Sequence, residues 1–199
     1  MEFGDVVRRR KMVRTFQERP VEPNLVERIL DHGRRGPSAG FAQGVAFLVF
    51  QGPEETGRFW EAASTGGDAD VILESVRRAP LVIVPFASKR AYLERYAEED
   101  KGWTDRDESR WPTPFWLVDA AFASMLMLLT AVDEGLGALF FGLYPAAIPA
   151  FKDDFGVPPE WDPIGAIALG HPAPVDPVRS SRDTRARKPL EDIVHRGRW

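Results

Sequence analysis

A chain of 199 residues that is 44% apolar and 28% charged has the balance of a folded domain, not of a disordered or collagen-like chain. That length predicts one domain over 1–199, with 172–199 as an extended C-terminal arm. The absence of cysteine excludes a disulfide framework, a thiolate metal site and a cysteine nucleophile, and a net charge of −4 argues against nonspecific nucleic-acid binding.

The first residues, MEFGDVVRRRK, lack the long apolar stretch of a secretory signal, which points to a cytoplasmic location. Residues 4–11 read as a short helix with Val6 and Val7 as its inward face. A second helix spans about 23–35: Leu25, Val26, Ile29 and Leu30 repeat at helical spacing, with Pro23 at the start and Gly36-Pro37 beyond the end. The loop GPSAGFAQG, 36–44, follows and carries almost no side chain beyond one Ser, one Gln and one aromatic ring. VAFLVFQ (45–51), bounded by glycines, reads as a buried strand. Helical stretches at about 53–63 and 68–78 precede a second strand, LVIVPF (81–86). The polar, Trp- and Tyr-rich segment 88–114 reads as a partly helical excursion that could overhang a pocket. From about 114 to 134 the chain is apolar nearly all round, the mark of a central helix, and Gly135 is its stop. Asp119 interrupts this run, which falls short of the ~20 residues a membrane span needs, so no membrane partner is expected. ALFFG (138–142) is a third strand, PAAIPAF (145–151) a short helix, and PIGAIALG (163–170) a fourth strand. Beyond Pro172 the tail has too few apolar residues to fold alone and should drape over something, such as a partner subunit. Strands separated by helices make this an α+β layered fold.

Charge is segregated along the chain. Residues 1–19 hold six Lys/Arg against three Asp/Glu and residues 178–199 hold seven against three, leaving 13 basic and 24 acidic residues between them. Arg8-Arg9-Arg10-Lys11 with Arg14, and Arg185-Ala186-Arg187-Lys188, are each the solvated side of a segment when read alone. Converging on one small anion, they would supply the guanidinium forks that phosphate binding requires. His32, His171 and His195 lack partners at ligand spacing, so no metal site is expected. The hydrolase and nucleotide signatures GxSxG, GxxxxGK[ST] and HExxH are missing. Gly135-Leu136-Gly137 enters a strand instead of leaving one. It reads either as a helix stop and tight turn, or as the start of a strand whose backbone faces a planar ligand.

Arg10-Lys11-Met12-Val13-Arg14-Thr15-Phe16, Pro20-Val21, Pro37 to Gln43, Ala79-Pro80, Asp119-Ala120-Ala121, Gly135-Leu136-Gly137, Leu169 to Pro172 and Arg187 to Leu190 occur in an order that resembles the nitroreductase family of flavin enzymes, over about residues 8–195. The resemblance implies an α+β three-layer sandwich, a central mixed or antiparallel sheet flanked by helices, in an intertwined homodimer with FMN at the subunit interface. It places Arg10, Lys11, Met12 and Arg14 at the phosphate, ribityl chain and pyrimidine edge, with Arg185 and Arg187 closing on the phosphate. Pro37, Ser38, Ala39, Phe41 and Gln43 would lie against the flavin ring of the other subunit, and Phe141 and Gly142 would turn backbone amides toward flavin N5 and O4. The implied activity is hydride transfer from NAD(P)H through N5 to a small electron-poor acceptor, a nitroaromatic or quinone. Phe41, Trp103, Trp111, Phe115 and Trp116 would shape the acceptor pocket, and no side chain is required as a catalytic acid. The sequence departs from the family at Met12, commonly Ser, at Phe41, commonly Asn, and at Gly44-Val45, commonly Pro-Trp. Those departures keep open a second reading, a protein that stores FMN with little NAD(P)H turnover.

Overall fold

The computed structural model describes residues 1–64, 75–175 and 184–199. Its elements are α1 (Phe3–Arg9), α2 (Pro23–Gly33), β1 (Val45–Gln51), α3 (Gly52–Ala63), β2 (Leu81–Ala87), α4 (Lys89–Tyr96), α5 (Phe115–Asp133), β3 (Gly137–Phe141), α6 (Ile148–Asp154), β4 (Asp162–Pro163) and β5 (Ala166–Gly170). The strands form one antiparallel sheet in the order β1-β2-β5-β3, with β4 beside β2. The one parallel pairing among the described residues is the isolated bridge of Met12 to Ala138.

Alternation along β2 decides the layers. Leu81 and Ile83 pack with Ile167, Leu169, Ile29 and Met127, against α2 and α5. Val82, Val84 and Phe86 pack with Phe50, Phe59, Trp60 and Phe151, against α3 and α6. Covered on both faces, β2 has no solvent face to alternate toward, which is why LVIVPFA reads as an unbroken apolar run.

Several boundaries differ from the sequence reading. β1 is a half-buried edge strand instead of a fully buried one, because among the described residues only β2 pairs with it. The fourth predicted strand is two pieces, β4 and β5, interrupted at Gly165, whose φ of +146° breaks the ladder. Of the two valines assigned inward on α1, Val6 is buried and Val7 exposed, since neighbours on a helix point in different directions. The helix expected over 68–78 lies outside the described residues up to 74, and 75–78 form a turn. Helix α5 is apolar and long enough by composition to cross a membrane. It nevertheless buries Asp119, Ala123, Met127 and Ala131 inside the fold, and leaves Leu117, Phe122 and Met125 exposed.

The N-terminal segment docks where β3 begins. Val13 N–H donates to the Ala138 carbonyl at 2.9 Å, and a Cβ on Gly137 would sit 2.9 Å from Val13 Cγ1. Only glycine allows this approach, so Gly137→Ala should lift residues 10–14 off the sheet and cost about 1–3 kcal/mol by urea unfolding. Val13→Ala in the same chain should recover part of that loss, and purely additive effects would show that the two residues do not touch.

Candidate functional site

Between α2 and β1 lies a loop whose backbone is unusual. Gly40, Phe41 and Gln43 have φ of +60°, +55° and +52°, a left-handed conformation that costs a residue with a Cβ about 1–2 kcal/mol. Local bonds hold it there. Phe41 N–H donates to the Ser38 carbonyl, Gln43 N–H donates to Ser38 Oγ, both at 2.9 Å, and Ala39 N–H donates to Asp119 Oδ2 at 2.7 Å. The Phe41 ring is 73% exposed. Pro37, Ser38, Phe41 and Gln43 wall a hollow of about 520 Å3 with Phe47 and Ala123.

At the other edge of the sheet, residues 10–14 lie against β3. Lys11 lines a hollow of about 300 Å3 with Arg9, Val13 and Gly135 at the end of α5. Side chains of an extended segment alternate, so Arg10, Met12 and Arg14 fall on the opposite side from Lys11. All three are half-buried, and Met12 packs against both halves of the core. The Arg14 guanidinium donates to the Met12 carbonyl at 3.4 Å. Among these cations Arg10 and Arg14 are half-buried and Lys11 is exposed.

Beside them, β3 ends in bare backbone. The Phe141 ring stacks on Trp60 at 5.5 Å and 13°, which commits it to the core, and open space lies where a Cβ on Gly142 would sit. At about 3.3 Å per residue, Ala138 to Gly142 spans about 13 Å.

Trp103, Trp111, Phe115 and Trp116 do come together. Trp111 lies 5.7 Å from Trp103, 6.0 Å from Phe115 and 6.2 Å from Trp116. The sequence reading missed the tyrosines that complete the cluster: Tyr96 is 4.6 Å from Trp111, and Tyr92 meets Trp111 edge-on at 5.9 Å. Their spacing on α4, one turn apart, was the available signal. Burial, followed by the hydrogen bond to Asp119, pushes the Tyr92 phenol well above the ordinary tyrosine range. Arg185 and Arg187 stand exposed on the C-terminal arm. A cavity of about 820 Å3 opens at the far ends of β1 and β2 among Gln51, Thr56, Trp60 and Pro80, and none of the predicted site residues lines it. Its size alone therefore does not make it the site. Among the described residues no His/Asp/Glu group could hold a metal ion.

The Nitroreductase family model matches residues 7–171. A Methanothermobacter thermautotrophicus protein provisionally named an NADH dehydrogenase/NAD(P)H nitroreductase is 27% identical over 100% of this chain and 88% of its own length. An NADPH-dependent oxidoreductase of Staphylococcus aureus is 21% identical over 98% of this chain and 73% of its own. Among solved structures, a nitroreductase family protein of Clostridium difficile superposes with a TM-score of 0.71 at 23% identity, covering 100% of both chains. A provisionally named nitroreductase of Desulfovibrio desulfuricans, solved in complex with FMN, has a TM-score of 0.70 at 22% identity, covering 98% of this chain and 95% of its own.

Because folding raises the Tyr92 pKa, the stability its phenol contributes is complete below the unfolded value of about 10 and is lost as pH rises through the folded value. The stability difference between the wild type and Tyr92→Phe should therefore be constant from about pH 7 to 9 and shrink above about pH 10. Urea unfolding across that range measures it, and a difference that stays flat at higher pH would mean that the phenol titrates alike folded and unfolded.

Proposed function

The chain belongs to the nitroreductase family, and from that premise we propose that it is an FMN-dependent oxidoreductase, carrying hydride from NAD(P)H to an electron-poor acceptor such as a nitroaromatic or a quinone. The observation that carries this reading is the separation of two complementary half-sites. Arg10, Arg14 and the bare end of β3 lie at one edge of the sheet, and the 37–43 loop lies beyond β1 at the other. A single chain has these halves on opposite sides, whereas two copies can offer one half each to the same planar anion.

The residues fit FMN. Arg10 and Arg14, half-buried on one side of their segment, suit a dianionic phosphate and the electron-rich pyrimidine edge. Arg185 and Arg187 would reach the phosphate from the arm, and Lys11 would act from a distance as a surrounding positive charge. The open backbone at Gly142 leaves room for a ring edge. When bound, FMN supplies the hydride chemistry at its N5. The protein's part is to hold it, to turn the Phe141 and Gly142 amides toward it, and to narrow the approach with Phe41 and the tryptophan cluster. Met12 packs without offering the hydroxyl common in the family.

A homodimer in the cytoplasm is part of the proposal. Leu117, Phe122 and Met125 on α5 leave an apolar face exposed, as do Leu190, Ile193 and Trp199 on the arm. One observation favours the storage reading: Phe41, standing outward, could shield the ring from nicotinamide.

Freshly purified protein should be yellow and release FMN, and anaerobic mixing with NADH or NADPH should bleach the flavin band. Flavin that neither nucleotide reduces would leave the storage reading. Arg10→Ala with Arg187→Ala should weaken FMN binding by at least about tenfold while the circular dichroism is unchanged. Full retention would mean that the phosphate sits elsewhere.

A further inference from the structure

Asp119 is 3% exposed, and its Oδ2 accepts two hydrogen bonds of 2.7 Å, from Ala39 N–H and from the hydroxyl of Tyr92, itself 0% exposed. One donor belongs to the loop that carries Phe41, the other to α4, which leads into the tryptophan cluster. The same loop is held at two further points. Arg95 Nε donates to the Gly40 carbonyl at 2.8 Å while its other nitrogens grip Asp100. A Cβ on Gly40 or Gly44 would lie 2.6 Å from the ring of Tyr96 or Tyr92, so the loop rests directly on those rings. A buried carboxylate is tolerated only where donors satisfy it, and here satisfying it fixes the loop.

We infer that Asp119 is a positioning residue: through Ala39 N–H and the Tyr92 hydroxyl it fixes the left-handed turn at Gly40 and Phe41, and thereby sets where Phe41 stands on the acceptor side of the pocket. Asp119 borders the same hollow as Phe41, and both donors hold its Oδ2, the atom through which it acts on the loop. The consequence for Phe41 rests on the flavin reading above, whereas the hold on the loop does not.

Two variants test it. Asp119→Asn keeps the shape and a neutral acceptor, and Asp119→Leu removes the acceptor. Amide hydrogen exchange at residues 39–43 in the full chain should quicken about fivefold in Asp119→Asn and more than about tenfold in Asp119→Leu. In the FMN-loaded dimer, KM for NADH and for 1,4-benzoquinone should rise in the same order with kcat within about twofold, and FMN retention should fall less than in Arg10→Ala with Arg187→Ala, since the loop is loosened while the phosphate contacts are untouched. A merely structural role would lower the melting temperature of both variants without that KM-against-kcat split, and would overturn the inference. Exchange at 39–43 within about twofold of wild type in Asp119→Asn overturns it equally, and decides alone if Asp119→Leu does not fold. If the wild type binds no FMN, the function proposed above fails while the exchange comparison still decides the hold on the loop.

Discussion

A carboxylate buried near the start of the central helix is the constraint around which this end of the molecule is arranged. Leaving Asp119 unpaired in the interior would cost several kcal/mol, so its two donors, Ala39 N–H and the Tyr92 hydroxyl, must come to it. Those donors sit on elements that are distant in sequence. Once both are in place, the loop after α2, the helix after β2 and the start of α5 have fixed positions relative to one another, and Trp111, before α5, and Trp116, in its first turn, pack on Tyr92 at the junction. The sheet fixes where the strands end, and this carboxylate fixes what stands at those ends.

Much of the scaffold was legible from periodicity. The strand at 45–51, the strand from Leu81 and the apolar helix ending before Gly135 follow from local pattern, because alternation, length and flanking glycines all agree there. What was not legible depended on neighbours distant in sequence. The half-burial of β1 follows from its place at the sheet edge, and the break at Gly165 follows from the crossing of β4 and β5 onto different lengths of β2. Of the candidate site, the bare loop and the basic segment around Arg10 and Arg14 stand out by residue type. The docking of this segment through Val13 against Gly137 joins residues 124 positions apart, which no spacing reveals. Asp119 was visible as a polar break in an apolar helix, yet its partners lie 80 and 27 residues away in the chain.

The surface charges show why composition alone says little about a phosphate site. Asp31 pairs with Arg34 and Arg35, Asp100 with Arg95, and Asp105 with Arg110, each within five residues, and the arginines hold the three carboxyls below the usual carboxylate range. Short-range exposed pairs of this kind contribute little to stability, and they tie these arginines to carboxylates of their own segments. The arginines that the proposed function would assign to an anion are instead those on the segment docked at β3 and on the arm, chosen by their place and not by the tally of positive charge.

Phe41 carries the tension between fold and function. A bulky side chain in a left-handed turn, with its ring 73% exposed, gains almost nothing from burial that would offset its backbone cost. Glycine would fit the same φ without that cost, and the loop already uses glycine next door. The contacts that hold Phe41 outward come from Asp119, Arg95 and the two tyrosines, none of which needs an aromatic ring at position 41 for its own packing. A strained residue kept by neighbours that do not require it marks a site where strain serves something outside the isolated chain. On the flavin reading proposed above, that something is the flat ring that a second copy would present to Phe41.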